Sequence, residues 1–344
     1  MIPKSLPTPR VVDPHSVPKL RWGVLGPGSI AATFVDTVHR NTQQRITATA
    51  SRVAERAEAF ARTHGIPTAY AGYEQLVTDP NVDVVYIATT QEFHMDHALL
   101  AIEAGKHVLI EKPMAITAEQ AQRIVDAAAQ HKVLAMEAMW TRYLPHIDVI
   151  RQLLDDAVFG EITLVQADFG HNSTGPRLWN DADGGALLDL GIYPFGWCSL
   201  ALGAPKSVDA TGHLATNGVD EQSVVRMEYA SGAQAVVTTS LRSMGTVRAS
   251  IAGREATLDS HVPFFTPTGF TLRTSVFDTP EHEFRDTSGI VGHEGLCYQA
   301  NHVAKYIGDG LTDSPLRPLA EVVSDIRIID TARHQIGALL RHER

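Results

Sequence analysis

A glycine-rich loop between an apolar strand and a helix is the feature that most constrains this fold. Residues 26–31 read GPGSIA, a G-x-G-x-x-A pattern that follows one predicted strand and opens a predicted helix. The first glycine permits a tight turn, the second lets the backbone approach a pyrophosphate, and the alanine permits close helix–strand packing. The loop therefore predicts a dinucleotide site, although a tight turn without a ligand is the alternative. The predicted phosphate contacts are Gly26, Gly28, Ser29 and Ile30.

The segment that follows alternates short apolar runs with helical patterns up to about residue 140. Such β-α alternation, with apolar strands buried on both faces, predicts a parallel, doubly wound α/β sheet of the Rossmann type. The predicted strands are 20–25, 46–51, 82–89, 107–110 and 133–136, and the predicted helices are 29–41, 53–64, 94–104 and 117–131.

The pattern changes after about residue 143. Strand-like runs separated by turn signals, with a few helices, predict an α+β domain whose sheet is open and largely antiparallel. The predicted strands are 162–169, 207–214, 222–229, 233–241, 247–252 and 269–276, and the predicted helices are 145–154, 184–202, near 294–308 and near 319–341. The predicted division is an N-terminal arm at 1–19, a dinucleotide-binding domain at 20–142 and a substrate and oligomerisation domain at 143–344.

The N-terminal arm, residues 1–19, contains five prolines and predicts an extended conformation. Two interpretations stay open, namely a disordered tail and an arm that packs on a neighbouring subunit. An exposed sheet face in the second domain would in any case suit a homodimer or homotetramer.

Charge and hydropathy exclude several classes of partner. A net charge of −10 over 344 residues argues against nucleic acid and anionic membranes. No apolar run approaches the ~18 residues of a membrane span, so we expect a cytoplasmic protein. The 16 histidines include no H-E-x-x-H motif or comparable set of metal ligands, and we expect no required metal.

The end of the second predicted strand bears on which dinucleotide binds. An NAD enzyme usually carries an acidic residue there for the ribose 2′-hydroxyl, but this strand ends in Ser51 and Arg52, with Arg56 four residues later. That spacing puts both arginines on one helix face, where they suit a 2′-phosphate. The pattern favours NADP over NAD, and two solvated surface arginines are the alternative.

Three further residues have the chemistry of a proton-transfer site. Lys112, in Glu111-Lys112-Pro113, follows a predicted strand at the edge where ligands bind in open α/β sheets. Asp189 and Tyr193 lie four residues apart in a predicted helix after Gly184-Gly185, which would place them on one face. Taken alone, each group is also compatible with a structural role.

Together these segments resemble one family over residues 20 to 340. The loop at 26–31, Glu111-Lys112-Pro113 and GGALLDLGIY at 184–193 are similar to the glucose–fructose oxidoreductase/inositol dehydrogenase (Gfo/Idh/MocA) family. MEAMWTR at 136–142 and the serine–arginine pattern at 51–56 resemble its branch of dimeric dihydrodiol dehydrogenases and NADP-dependent D-xylose 1-dehydrogenases. Residues 92–94 depart from the Pro-x-x-x-His that is more usual after the fourth strand.

The resemblance implies a role for each matching residue. Tyr193 would accept a hydroxyl proton, Lys112 would stabilise the phenolate, and Asp189 would support the pair. Trp140 and Phe169, with Tyr193, would line the substrate pocket. The implied cofactor contacts beyond the loop are Ser51, Arg52, Arg56, Thr89, Thr90, His94, Glu111 and Lys112.

The sequence therefore predicts a dehydrogenase that transfers hydride between NADP(H) and a CH–OH group of a sugar, polyol or trans-dihydrodiol. Two alternatives stay open: an NAD-dependent inositol or sugar dehydrogenase of the same fold, and a dinucleotide-sensing protein without turnover. The intact Lys112, Asp189 and Tyr193 favour an enzyme.

Overall fold

The computed structural model describes residues 3–275, 277 and 282–344, which form two compact units. The N-terminal unit comprises Val11–Tyr143 and Val291–Val323. The C-terminal unit comprises Leu144–Ile290, Ser324–Arg344 and the described part of Met1–Arg10. The division therefore differs from the sequence-based one in two places, because 291–323 cluster with the N-terminal unit and residues 3–10 with the C-terminal unit.

The N-terminal unit is built on a six-stranded parallel sheet. Its order β3-β2-β1-β4-β5-β6 is the one typical of doubly wound dinucleotide-binding folds, and it confirms the predicted parallel sheet. The strands are β1 Arg21–Leu25, β2 Arg45–Ser51, β3 Thr68–Ala71, β4 Val84–Ile87, β5 His107–Ile110 and β6 Ala135–Glu137. The chain reverses its direction of strand addition between β1 and β4, which marks the crevice where such sheets bind ligands.

The C-terminal unit is built on an eight-stranded sheet of order β14-β13-β12-β11-β7-β10-β9-β8. Only the β7–β10 pair is parallel among the pairs described, which confirms the predicted largely antiparallel sheet. The strands are β7 Ile162–Gly170, β8 Ser207–Leu214, β9 Asp220–Glu228, β10 Gln234–Ser240, β11 Ala249–Gly253, β12 Thr257–Ser260, β13 Gly269–Arg273 and β14 His282–Arg285.

Helices bury an apolar stripe in each unit. In the first helix, Ala31, Phe34, Val35 and Val38 recur at helical spacing and are all buried. None of the helices in the described part of the chain is long and apolar enough to span a membrane. The helices are α1 Ser29–Asn41, α2 Ala54–His64, α3 Tyr73–Val77, α4 His94–Glu103, α5 Ala118–His131, α6 Pro145–Asp155, α7 Ala186–Asp189, α8 Ile192–Leu202, α9 Leu296–Gly308 and α10 Leu319–Ile336.

The single helix predicted at 184–202 was wrong. The structure has two helices, α7 and α8, and the chain breaks between them at Leu190 and Gly191. Gly191 donates its N–H to Ala186, five residues back, and a Cβ at Gly191 would clash with the Leu187 carbonyl. Pro194 has no N–H for a regular helical bond, so the first turn of α8 starts afresh. Asp189 and Tyr193 therefore belong to different helices rather than to one face of a single helix.

Residues 3–10 of the N-terminal arm are hydrogen-bonded to the C-terminal unit. The Arg10 backbone N–H donates to Asp148 at 2.7 Å, and the Arg10 guanidinium donates to the same carboxylate at 2.9 Å. Gln152 donates to the Thr8 carbonyl, and His282 hydrogen-bonds the Pro3 carbonyl. These bonds hold the arm along α6, so a disordered tail does not describe residues 3–10.

Candidate active site

The glycine loop leaves the start of α1 open. Gly26 has φ 86°, and a Cβ there would approach the Ala88 carbonyl oxygen to 2.9 Å, so this position requires glycine. Gly28 is different, because a Cβ there would meet no protein atom within 4 Å. No side chain caps the helix N-terminus, and Ser29 is exposed. The free amides and the positive end of the helix dipole therefore fit a phosphate group.

Two arginines stand at the carboxyl end of β2, as the sequence predicts. The Ser51 hydroxyl is buried and accepts the Val53 N–H, so this side chain shapes the turn that presents Arg52. Arg52 and Arg56 are both exposed, and the two guanidinium groups oppose the burial that raises the pKa of Tyr73. Both cations therefore favour the ionised form of the Tyr73 phenol.

Aromatic side chains that the sequence did not predict lie around Arg52 and Arg56. The Arg52 guanidinium lies 5.4 Å from the centre of the Phe93 ring, a cation–π distance. The His97 ring packs edge-on against Tyr73 at 4.5 Å and hydrogen-bonds the Thr89 hydroxyl. We name Arg52, Arg56, Tyr73, Phe93 and His97 the arginine–aromatic cluster. Its signal in the sequence was weak, because Tyr73 follows the unpredicted strand β3.

His94 and the two threonines lie at the end of β4. Thr90 is exposed there, whereas His94 is fully buried. The His94 ring nitrogens lie 2.9 Å from the Pro113 carbonyl oxygen and 3.0 Å from the Thr89 carbonyl oxygen. Burial lowers the pKa of His94 to about 4, so the ring is neutral at ordinary pH. A neutral ring has one N–H and therefore donates to only one of these two carbonyl oxygens, which lie in the loops after β4 and β5.

Glu111 and Lys112 follow β5 at the same sheet edge. Glu111 is buried, its carboxylate accepts the Tyr86 hydroxyl at 2.5 Å, and it also accepts the Lys112 N–H. Burial raises the pKa of Glu111, while the Tyr86 hydrogen bond and the Lys112 ammonium oppose that rise. These contacts fix the backbone from which the half-buried Lys112 side chain extends, next to a cis Lys112–Pro113 bond.

Trp140 packs against His293, a contact that was not predicted from the sequence. The indole is only 2% exposed and stacks on the exposed His293 ring at 5.4 Å, with 21° between the planes. Partial burial and then the Lys112 ammonium lower the pKa of His293. In the N-terminal unit, therefore, His293 stacks on Trp140 and lies within electrostatic range of Lys112.

In the C-terminal unit, Asp189 and Tyr193 lie on either side of the α7–α8 break. Asp189 is buried and accepts a hydrogen bond from Arg177 at 2.9 Å. Tyr193 packs among aromatic rings, with Phe169 at 5.8 Å and Phe265 at 4.8 Å between centroids. Phe169 and Phe265 themselves stack at 4.8 Å. The predicted neighbours Tyr193 and Phe169 thus do meet, and Phe265 completes an aromatic wall that the sequence missed.

The structure thus assembles the predicted residues in two groups, one in each unit. The N-terminal unit brings the glycine loop, the arginine pair and Lys112 to the carboxyl edge of its sheet. The C-terminal unit brings Tyr193 and Phe169 into contact, with Asp189 on the other side of the α7–α8 break. Among the described residues, no group of three or more His, Cys, Asp or Glu side chains could hold a metal ion.

Family models match both units of the chain. Residues 20–139 match a model of an oxidoreductase family with an NAD-binding Rossmann fold, and residues 147–259 match the GFO/IDH/MocA C-terminal domain. Among curated proteins, the trans-1,2-dihydrobenzene-1,2-diol dehydrogenase of Sus scrofa is 35% identical over 330 residues, covering 92% of this chain and 97% of that one. The Mus musculus enzyme of the same name is also 35% identical, with the same coverage.

Solved structures are similar across both units as well. A 3-ketoreductase from Actinomadura kijaniata, in complex with TDP-benzene and NADP, has a TM-score of 0.77 at 25% identity, covering 93% of this chain and 98% of that one. A levoglucosan dehydrogenase in complex with NADH and levoglucosan has a TM-score of 0.83 at 19% identity, with the same coverage. At that identity the second likeness concerns the fold alone.

Proposed function

The chain belongs to the GFO/IDH/MocA oxidoreductase family, and on that premise we propose that it is an NADP(H)-dependent dehydrogenase acting on a CH–OH group. We further propose that the substrate is a sugar, a polyol or a cyclic trans-diol. The names of its relatives, which include dihydrodiol dehydrogenases and a ketoreductase solved with NADP, support that range.

The arginine pair at the end of β2 is the observation that carries the choice of NADP. Arg52 directly follows β2, Arg56 lies in the first turn of α2, and both are exposed, so two cations stand near the end of the strand that pairs with β1. A ribose 2′-phosphate would receive charge-assisted hydrogen bonds from both guanidinium groups. No carboxylate stands at the tip of β2, where a 2′-hydroxyl would need an acceptor.

The residues of the chain would divide the reaction between them. When bound, NADP⁺ supplies the hydride acceptor. Tyr193, in its phenolate form, would take the proton from the substrate hydroxyl and become a neutral phenol, and Lys112 would stabilise the phenolate before this transfer. Asp189, held by Arg177, supports the charges of this pair. Phe169 and Phe265, which stack on each other, would exclude water from the substrate.

Two other functions make distinguishable predictions. An NAD-dependent sugar or inositol dehydrogenase would prefer NADH to NADPH, which the arginine pair disfavours. A dinucleotide-sensing protein would bind NADPH but give no substrate-dependent change in absorbance at 340 nm. The presence of Lys112, Asp189 and Tyr193 together favours an enzyme over a sensor.

Substrate screening tests the proposal as a whole. A panel of aldoses, polyols and trans-diols, each incubated with NADP⁺ and followed at 340 nm, should reveal at least one oxidised compound. NADPH binding measured in parallel by fluorescence separates an absent substrate from an absent cofactor site. Binding without any turnover across the panel would favour the sensor.

Replacement of the proposed catalytic pair tests the mechanism. Tyr193→Phe and Lys112→Met should each lower kcat by about a hundredfold or more, because each removes a group that acts in proton transfer. NADPH binding should change little. Tyr229→Phe, a buried tyrosine of the C-terminal unit, and Lys305→Met, on the exposed side of α9, are matched controls that should retain turnover. Near-normal kcat in both catalytic variants would refute the assignment.

We also propose that the outer face of the eight-stranded sheet forms a homodimer or homotetramer interface. Along β9 the side chains alternate, with Ser223, Val225 and Met227 buried and Val224 45% exposed. A sheet covered on one face leaves the other for a second subunit. Sedimentation velocity of the full chain would show the assembly.

A further inference from the structure

We propose that Asp220 is a positioning residue, which acts on the hydride-transfer site by fixing the start of α7. This inference rests on the proposed function, because it matters only if Asp189 and the helix break next to it serve catalysis. Asp220 is the first residue of β9 and lies 33 positions along the chain from Leu187, in the helix start that it would fix. Nothing in the proposed chemistry otherwise uses this carboxylate.

The contact between Asp220 and α7 is direct. The Leu187 N–H donates to Asp220 Oδ2 at 2.7 Å, and the Ala186 N–H also bonds the carboxylate. These are two of the amides that a helix leaves unsatisfied in its first turn. With only four residues, α7 has little intrinsic stability, so its geometry depends on what holds its first turn.

The chain before α7 is shaped to admit this carboxylate. Gly185 has φ 110°, a conformation that side chains rarely adopt, and a Cβ there would clash with Asp220 Oδ1. At Gly184, a Cβ would lie 2.5 Å from the Asn180 carbonyl oxygen. The twin glycines thus let the backbone fold tightly over Asp220 and turn directly into the helix that carries Asp189.

Asp220 is poorly placed to serve stability alone. It is 2% exposed, and burial raises its pKa to about 7, with Arg333 opposing the rise. The hydrogen bonds of Arg333 go to Asp330, Glu343 and the Ala338 carbonyl, and none is given to Asp220. A buried carboxylate whose bonds go to backbone amides is costly to keep, and a role in placing Asp189 explains why it stands there.

A double-mutant cycle tests this inference through kcat. Asp220→Ala should lower kcat by about tenfold or more while NADPH affinity stays within about twofold, because the cofactor loop is elsewhere. In an Asp189→Asn background, the same change should cost less than about twofold, because the residue through which it acts is already gone. Equal losses in both backgrounds would overturn the inference.

A hydrogen-exchange measurement covers the case in which the proposed function fails. In Asp220→Ala the amides of Ala186 and Leu187 should exchange about tenfold faster than in the wild type. Asp313→Asn is the matched control, since that carboxylate accepts the Ser314 and Leu319 amides in the N-terminal unit, and it should leave both α7 exchange and kcat unchanged. Unchanged exchange at α7 in Asp220→Ala would overturn the inference whatever the activity.

Should Asp220→Ala fail to fold, Asp220→Asn keeps the side-chain volume and one acceptor oxygen. We expect this variant to show the same non-additive loss of kcat with Asp189→Asn, at a smaller amplitude. Turnover losses that simply add, or normal kcat despite faster exchange at α7, would contradict a positioning role. A wild-type protein that turns over no substrate would count against the proposed function instead.

Discussion

Two glycine pairs precede helices in this protein, and the helix starts that follow them differ in whether another part of the chain occupies the first turn. The pair at Gly26 and Gly28 opens α1, whose first turn has no side-chain cap and whose second glycine faces open space. The pair at Gly184 and Gly185 precedes α7, whose first turn is already occupied by the Asp220 carboxylate. One helix start is left for an anion from outside, and the other holds a carboxyl group of the chain itself.

The difference shows that a glycine pair before a helix does not by itself define a ligand site. What decides is whether the protein has already satisfied the first-turn amides. At α7 the first-turn amides already bond a carboxylate of the protein, and the glycines make room for it and set the backbone. At α1 no side chain caps the first turn, so its amides and the helix dipole are available to a phosphate.

The largest expected effect is at the crowded glycine. Gly185→Ala should destabilise the protein by about 3 kcal/mol or more, because it adds a clash with Asp220 to an unfavourable φ. Gly65→Ala is the matched control, since Gly65 also has positive φ but a Cβ there meets nothing within 4 Å. It should cost only about 1–2 kcal/mol. Urea denaturation measures both, and equal costs would contradict the account of the crowded pair.

The arginine pair should have the next largest effect, on cofactor choice. Arg52→Gln with Arg56→Gln should weaken NADPH binding by about a hundredfold and leave NADH binding nearly unchanged, because only NADPH carries the 2′-phosphate. Arg62→Gln, an exposed arginine on the same helix α2, should leave both affinities unchanged. Parallel losses for NADPH and NADH would show that these arginines do not read the 2′-phosphate.

The occupied helix start should show a dependence of stability on pH. Burial raises the pKa of Asp220 from its ordinary value of 3.8 to about 7, so the folded state holds this proton more tightly than the unfolded chain. The contribution of the protonated Asp220 side chain to the free energy of unfolding is complete below the unfolded-state pKa and is lost as pH rises through about 7. Between pH 5.5 and 8.5 the wild type should lose about 2 kcal/mol relative to Asp220→Asn in urea denaturation. If the difference in free energy of unfolding between the wild type and Asp220→Asn does not vary with pH, the raised pKa of Asp220 is contradicted.

The open glycine should show the smallest effect, on binding and not on folding. Gly28→Ala should weaken NADPH binding by about tenfold, because the added methyl would stand where the backbone approaches the pyrophosphate. Its stability should stay within about 1 kcal/mol of the wild type, since the methyl meets no protein atom. Gly26→Ala should instead lower stability, through its positive φ and its contact with Ala88. Normal NADPH affinity in Gly28→Ala would place the dinucleotide elsewhere.

The sequence predicted features that depend on local pattern. The parallel sheet and the open helix start could be read from apolar runs and the G-x-G-x-x-A loop, and the structure confirms the predicted fold class. Strand β3 was missed because Thr68–Ala71 is short and only partly buried, so it forms no apolar run. The α7–α8 break was missed because Asp189 is the only charged residue in a largely apolar segment, and the tight backbone contact at Gly191 leaves no periodic signal.

Contacts between distant parts of the chain lay beyond sequence analysis. Asp220 begins a strand and meets α7 only through the fold of the C-terminal unit. His293 reaches Trp140 because residues 291–323 return to the N-terminal unit, where Thr37 donates to the Glu294 carbonyl. The roles proposed for Lys112, Asp189 and Tyr193 stay predictions that mutagenesis must test.

A titration of the full chain with NADPH and with NADH, followed by fluorescence, tests most directly whether the open helix start and its arginine pair form an NADP site. We predict that NADPH binds at least about tenfold more tightly than NADH, because two guanidinium groups receive its 2′-phosphate. Equal affinities, or tighter binding of NADH, would contradict the account.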